Sequence, residues 1–201
     1  MGSKVEERRS ALRDTLINVA EAQIEADGLA AIKARGLAEA AGCSVGAIYN
    51  VFDDLEDIII AVNGRTFGKL GQHVATALQG KEELPATDRL IEMSYAYLDY
   101  AVTHPRLWRA LFDLRMSTDM DVPDWYLAEL GQLFDYIDGP VRECFATLDD
   151  SEVRLMTRAL FSSIHGIVML GLENRISGVP RDQIHRMIAM MLRSATGNTV
   201  F

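Results

Sequence analysis

One stretch constrains this chain more than any other: Lys33 to Phe52, KARGLAEAAGCSVGAIYNVF. It reads as two short helices around a tight turn. Leu37, Ala41, Cys43, Ile48 and Val51 are apolar at the spacing that lets two helices share one small core. Ala38 is small where the second helix must cross the first. Gly42 supplies a turn residue free of the Cβ penalty, and Ser44 is placed to cap the next helix with its hydroxyl. That helix, read as Val45 to Val51, is too short to stand alone and needs the first as its platform. The pattern is a helix-turn-helix, whose second helix suits the DNA major groove.

The segment Gly42-Cys43-Ser44-Val45-Gly46-Ala47-Ile48-Tyr49-Asn50-Val51-Phe52 resembles the core motif of TetR/AcrR-type transcriptional regulators. The resemblance covers residues 8 to 65 or so, and the remainder fits the family in length and helicity. His165-Gly166 is similar, more weakly, to the C-terminal domain of one subgroup. The resemblance implies an all-α fold: an N-terminal three-helix domain with the helix-turn-helix, then a helical ligand-binding and dimerisation domain. We expect a DNA-binding domain over residues 1–55, with the motif at 33–52. A connecting helix and hinge should occupy 56–80, and an effector-binding and dimerisation domain 81–201. The expected function is transcriptional repression relieved by a small-molecule effector, with no enzymatic activity and no cofactor. In such regulators Tyr49 would contact a DNA phosphate, and Ser44, Val45, Gly46, Ala47 and Asn50 would approach the groove. Arg35 matches a DNA-facing arginine, while Leu55 and Ala34 stand where the family often has Lys and Thr. One short helix reads few bases, so a homodimer on a palindromic operator is expected. Its half-sites would lie about one helical turn, ~34–36 Å, apart, and the last two helices would form the dimer contact.

Charge qualifies this reading. The chain carries a formal net charge of −9, and residues 1–60 hold six Lys and Arg against eleven Asp and Glu. The cations are nonetheless grouped. Arg8, Arg9 and Arg13 lie near one end of the first helix, and Lys33 with Arg35 opens the second. Local positive patches bind phosphate even on an acidic domain, with a shallow salt dependence. Asn50 could read adenine through two hydrogen bonds. The acidic balance leaves an alternative open: a helical ligand-binding protein whose helix-turn-helix no longer binds DNA.

Taken in order, helical periodicity and stop signals place the remaining elements. Ser3-x-x-Glu6 is a candidate capping box for a first helix that Asp27-Gly28 ends. Asp54 is placed to cap a helix from Leu55 to Leu78, with a bend expected at Gly64, Gly68 and Gly71. Gln79 to Glu83 reads as the hinge. Further helices are expected over Ala86–Thr103, Pro105–Arg115, from Pro123 onward with a kink or interruption at Gly139-Pro140, Ser151–Ile176 and Arg181–Ala195. Ser117 to Val122 reads as a loop, and Ser177-Gly178-Val179-Pro180 as a stop. The eighth helix carries two apolar stripes, so more than one of its sides must be covered. Ser162, Ser163, Gly166 and Gly171 would allow close helix approach there.

Candidates for an effector cavity are Tyr97, Trp108, Phe112, Trp125, Phe134 and His165, with Tyr95, Met116 and Tyr126 as further aromatic or polarisable neighbours. For any single one of them, core packing competes with a ligand role. Cys43 and Cys144 read as small buried hydrophobes in a reducing compartment, with a redox switch as the competing reading. The four histidines show no metal-ligand spacing, and Asp182-x-x-His185 is a lone pair without partner carboxylates. Neither a catalytic nor a metal site is expected. The N-terminus lacks an apolar leader core, and the apolar run 159–172 is shorter than a bilayer span. A cytoplasmic protein is expected, with no membrane partner.

Overall fold

A computed structural model describes residues 2–113, 122–173 and 180–197. Among the described residues there are nine α-helices and no strand: α1 (Gly2–Asp27), α2 (Ala34–Ala40), α3 (Val45–Ile48), α4 (Leu55–Leu78), α5 (Ala86–Thr103), α6 (Pro105–Asp113), α7 (Asp124–Cys144), α8 (Asp150–Leu172) and α9 (Ile184–Ala195). Several of the expected features fall outside the described residues. They are Met116, most of the 117–122 loop, the end of the eighth helix towards Ile176, and Ser177 to Val179 of the stop.

Packing divides the chain into two compact units, residues 1–68 with 104–129 and residues 69–103 with 130–201. The boundaries fall inside α4 and α7, so the units do not follow chain order. The Gln79–Glu83 connection is a turn inside the second unit, with Gly80 at φ +74° and the Lys81 N–H donating to the Leu78 carbonyl at 2.9 Å.

The first unit is built on α1. Leu16, Ala20 and Ile24 are fully buried, and Leu37, Ile48, Ile58, Val62 and Leu107 join them in one core. Gly28 ends α1 at φ +83°, and its N–H donates to the Ile24 carbonyl at 2.8 Å. α6 packs on α1. There His104 Nδ1 lies 2.6 Å from Glu25 Oε1, and Arg106 donates to the Glu25 carbonyl at 3.1 Å. Asn63, fully buried in α4, donates to the Ala110 carbonyl at 3.0 Å.

In the second unit α5 packs against both α8 and α9. Its expected stripe of Leu90, Met93, Tyr97 and Ala101 is buried. Thr87 donates to Thr196 at 2.8 Å, and the Tyr95 hydroxyl donates to the His185 carbonyl at 3.2 Å. Lys81 pairs with Glu92 at 2.6 Å, and Arg89 pairs with Glu143.

Four expectations about element ends are corrected. The first helix begins at Gly2, so Ser3 is a helical residue and not its cap. The regular part of the helix after Ser44 stops at Ile48, not at Val51. The Ile48 carbonyl accepts from both the Val51 and Phe52 N–H groups, at 2.9 and 3.0 Å, which tightens the last turn. α7 continues through Pro140 to Cys144. Proline removes one helical hydrogen bond, but Pro140 and Val141 are buried in the second unit and packing holds the turn. The final helix is preceded by a 3₁₀ turn at Arg181–Gln183.

The glycines of α4 have a packing reason. A Cβ on Gly64 would lie 2.5 Å from the Trp125 ring, and one on Gly71 would touch Leu133 and Tyr136. α4 is one continuous helix, and its glycine side admits α7.

Candidate nucleic-acid interface and apolar cavity

The turn of the helix-turn-helix is fixed by backbone hydrogen bonds. Gly42 sits at φ +67°, where a side chain is disfavoured. Its N–H donates to the Glu39 carbonyl at 3.2 Å, and the Cys43 N–H donates to the Ala38 carbonyl at 2.9 Å. That pair of bonds is a Schellman closure of α2. One residue later the chain is extended, and Ser44 Oγ accepts from the Ala47 N–H at 3.2 Å to open α3. Beneath, Leu37 and Ile48 are fully buried.

This arrangement sends the candidate residues outward. Lys33, Arg35, Ser44, Val45, Gly46, Tyr49 and Asn50 are exposed, and Ala47 is half-buried. Tyr49 is 49% exposed although it adjoins the buried Ile48. The surface thus combines a phenol, an amide, two cations and small residues that permit close approach.

The acids near this surface are engaged locally. Asp54 Oδ1 accepts from the Asp57 N–H at 2.9 Å, and Asp57 Oδ2 accepts from the Asp53 N–H at 3.0 Å. These bonds cap α4, whose N-terminal dipole favours negative charge. Leu55 packs against the core of the first unit. Of the basic cluster on α1, Arg13 lies over the Phe52 ring at 4.8 Å. Sequence reasoning passed over Arg65, which ties α4 to α1. It donates to Asn18 at 2.5 Å and lies 3.5 Å from Asp14 and 3.8 Å from Glu21.

The effector candidates fall into separate groups. Tyr97, Phe134 and His165 come together in the second unit. The Tyr97 hydroxyl lies 2.7 Å from His165 Nδ1. Phe161 stacks on His165 at 5.8 Å and meets Phe134 edge-on at 5.2 Å. Phe161 was missed, although its position four residues before His165 puts both on one helix face. Burial lowers the pKa of His165 below the usual 6.5 and keeps the ring neutral. Trp108, Phe112 and Trp125 belong to the first unit. Trp108 is fully buried and packs edge-on against Phe112 at 5.6 Å. Trp125 covers Gly64, beside a polar cleft that Arg13, Asp14, Arg65 and Glu129 line.

Beside the Tyr97 cluster lies a cavity of about 560 Å³, its open mouth included. α4 contributes Leu70 and Val74, α5 Leu90, Met93, Ser94 and Tyr97, and α7 Leu133 and Ile137. α8 adds Leu160, Phe161 and Ile164, and α9 adds Leu192.

The same helices leave apolar surface uncovered. Leu155 and Leu170 on α8 are 70% and 51% exposed, and Met190 on α9 is 53% exposed. Ser162 and Ser163 are exposed with them, and a Cβ added at Gly166 would meet nothing within 4 Å. α8 has the length and apolar composition of a membrane span, beyond what the shorter apolar run in the sequence implies.

An N-terminal helix-turn-helix ahead of a helical unit is the architecture of a DNA-binding transcription regulator. Residues 90–195 match the tetracyclin repressor-like C-terminal domain family, and the chain belongs to the TetR family of regulators. It is 25% identical over 187 residues to the uncharacterized HTH-type transcriptional regulator Rv0681 of Mycobacterium tuberculosis, covering 92% of this chain and 80% of that one. Its fold is similar to a protein of unknown function from Rhodococcus sp. RHA1. The TM-score there is 0.73 at 22% identity, over 92% of this chain and 94% of the other. It is also similar to the transcriptional regulator FadR of Bacillus subtilis in complex with stearoyl-CoA. That TM-score is 0.66 at 20% identity, over 89% and 96% of the two chains. Regulators of this family bind DNA and small molecules and work as dimers.

Proposed function

We propose that this chain is a cytoplasmic, homodimeric repressor that leaves a palindromic operator when a small molecule enters its second unit. The observation that carries the DNA-reading half is the outward set of Tyr49, Asn50, Ser44, Val45 and Gly46 over the buried Ile48. A hairpin with only a structural role gains nothing from a half-exposed tyrosine amid small residues. Residues 1–55 then serve as the reading domain, 56–80 as the connector and 81–201 as the effector and dimer domain. α4 runs from the reading domain to the cavity wall at Leu70 and Val74. A guest there would shift the population of dimers whose two reading helices are correctly spaced.

The uncovered stripe of α8 and α9 supports the dimer. Arg154, Arg158 and His165 interrupt α8, which suits a protein seam better than lipid. The acidic balance favours a second reading, a ligand-binding protein without DNA affinity. That reading is weakened where the Asp54 and Asp57 carboxylates are bound up in capping α4.

Tyr49→Ala tests the DNA-reading half. Measured by fluorescence anisotropy on a duplex that the wild type selects, it should lose about tenfold in affinity, of the order of one charge-assisted phosphate bond. Sedimentation should show an unchanged oligomer. Normal binding by the variant would remove Tyr49 from the interface.

A further inference from the structure

The apolar cavity of the second unit constrains the chemistry of its guest. Ten of its twelve described lining residues have hydrocarbon, thioether or phenyl side chains. The two hydroxyls are already engaged: Ser94 donates to the Leu90 carbonyl at 2.8 Å, and Tyr97 meets His165 at 2.7 Å. Among the described residues, no charged side chain lines the wall. Three cations on the surrounding helices are held elsewhere. Arg89 pairs with Glu143, Arg193 lies 3.7 Å from Asp88, and the exposed Arg158 sits over the outer ring Phe134.

Resting on the reading of this unit as the effector domain, we propose that the cavity takes an uncharged, predominantly apolar molecule. Carboxylates, phosphates and ammonium ions on the same carbon skeleton are turned away. A buried charge must recover its lost hydration from a partner, and this wall provides none. Each methylene that enters instead adds about fourfold in affinity. Among the described lining residues, the Tyr97 hydroxyl, paired with His165, suits a single neutral hydroxyl or carbonyl group. Burial holds His165 neutral, so the pair presents no cation to an anionic head. The chain's net charge of −9 also disfavours anions at long range.

The test uses the full chain and three probes that differ only in their head group: 1-octanol, octanoate and octylamine at pH 7.5. Isothermal titration should give octanol an affinity at least about tenfold above either ion. Ile137→Phe and Leu192→Phe, which fill the cavity from two helices, should each weaken octanol binding, with circular dichroism melts confirming that they fold. Equal or tighter binding of octanoate or octylamine would overturn the proposal. So would no binding of any probe, or octanol binding that both folded variants leave unchanged. A parallel anisotropy assay on the selected duplex separates this inference from the effector reading. Octanol that enters the cavity but leaves DNA bound supports the guest class and removes the effector role. Octanoate that enters and releases DNA does the reverse.

Discussion

Ile48 and Tyr49 are neighbours in sequence with opposite fates: one is fully buried and the other half-exposed. Helical geometry makes that division, and it is why a short motif shows both its core and its reading face in sequence. His165 shows what sequence leaves out. It stood as the one ionisable residue of the apolar run 159–172, and its pairing with Tyr97 across 68 positions is visible only after folding. The pairing carries a pH consequence. The folded chain holds His165 below the usual 6.5 because burial disfavours its charged form. As pH falls through 6.5 the unfolded chain therefore takes the proton first, and stability is lost down to the folded value. Urea midpoints at pH 7.5 and 5.5 should thus fall more for the wild type than for His165→Gln. An equal fall in both would mean that His165 titrates as it does in water.

At the scale of elements, local chemistry was the most legible. α4 and α5 have the bounds that caps, periodicity and proline give them. Ser44 caps α3 and Gly42 takes the left-handed turn, as their residue types require. Where a tertiary contact decides, sequence reads less. Gly64 looked like a weak point in a helix, but it is the seat of the Trp125 ring. Pro140 offered a kink or an interruption, and the interruption does not occur: α7 continues through it. The aromatic candidates for one cavity divide between two units, because composition identifies a ring without saying what it packs on. Capping also yields a measurable claim. Asp149 accepts from the Ser151 and Glu152 N–H groups at 2.8 and 2.9 Å, and Glu152 accepts in return from the Asp149 N–H at 3.0 Å. Asp149→Ala should cost about 1 kcal/mol, seen as a lower denaturant midpoint at an unchanged slope. An unchanged midpoint would show that α8 is held by packing alone.

At the scale of the whole molecule, the proposed operator reading needs two copies acting together. Leu155, Leu170 and Met190 are apolar side chains that a single chain leaves wet, and a second copy would bury them. Leu155→Glu with Leu170→Glu should therefore give a monomer in sedimentation and abolish tight operator binding, with the helix-turn-helix untouched. A dimer that survives both changes would place the seam elsewhere. The most direct measurement is selection of bound duplexes from a random DNA library by the purified protein at low salt. The account predicts enrichment of an inverted repeat with half-sites about one helical turn, ~34–36 Å, apart. Failure to enrich any sequence, with apolar ligand binding intact, would contradict it and leave a ligand-binding protein that has kept the motif without its use.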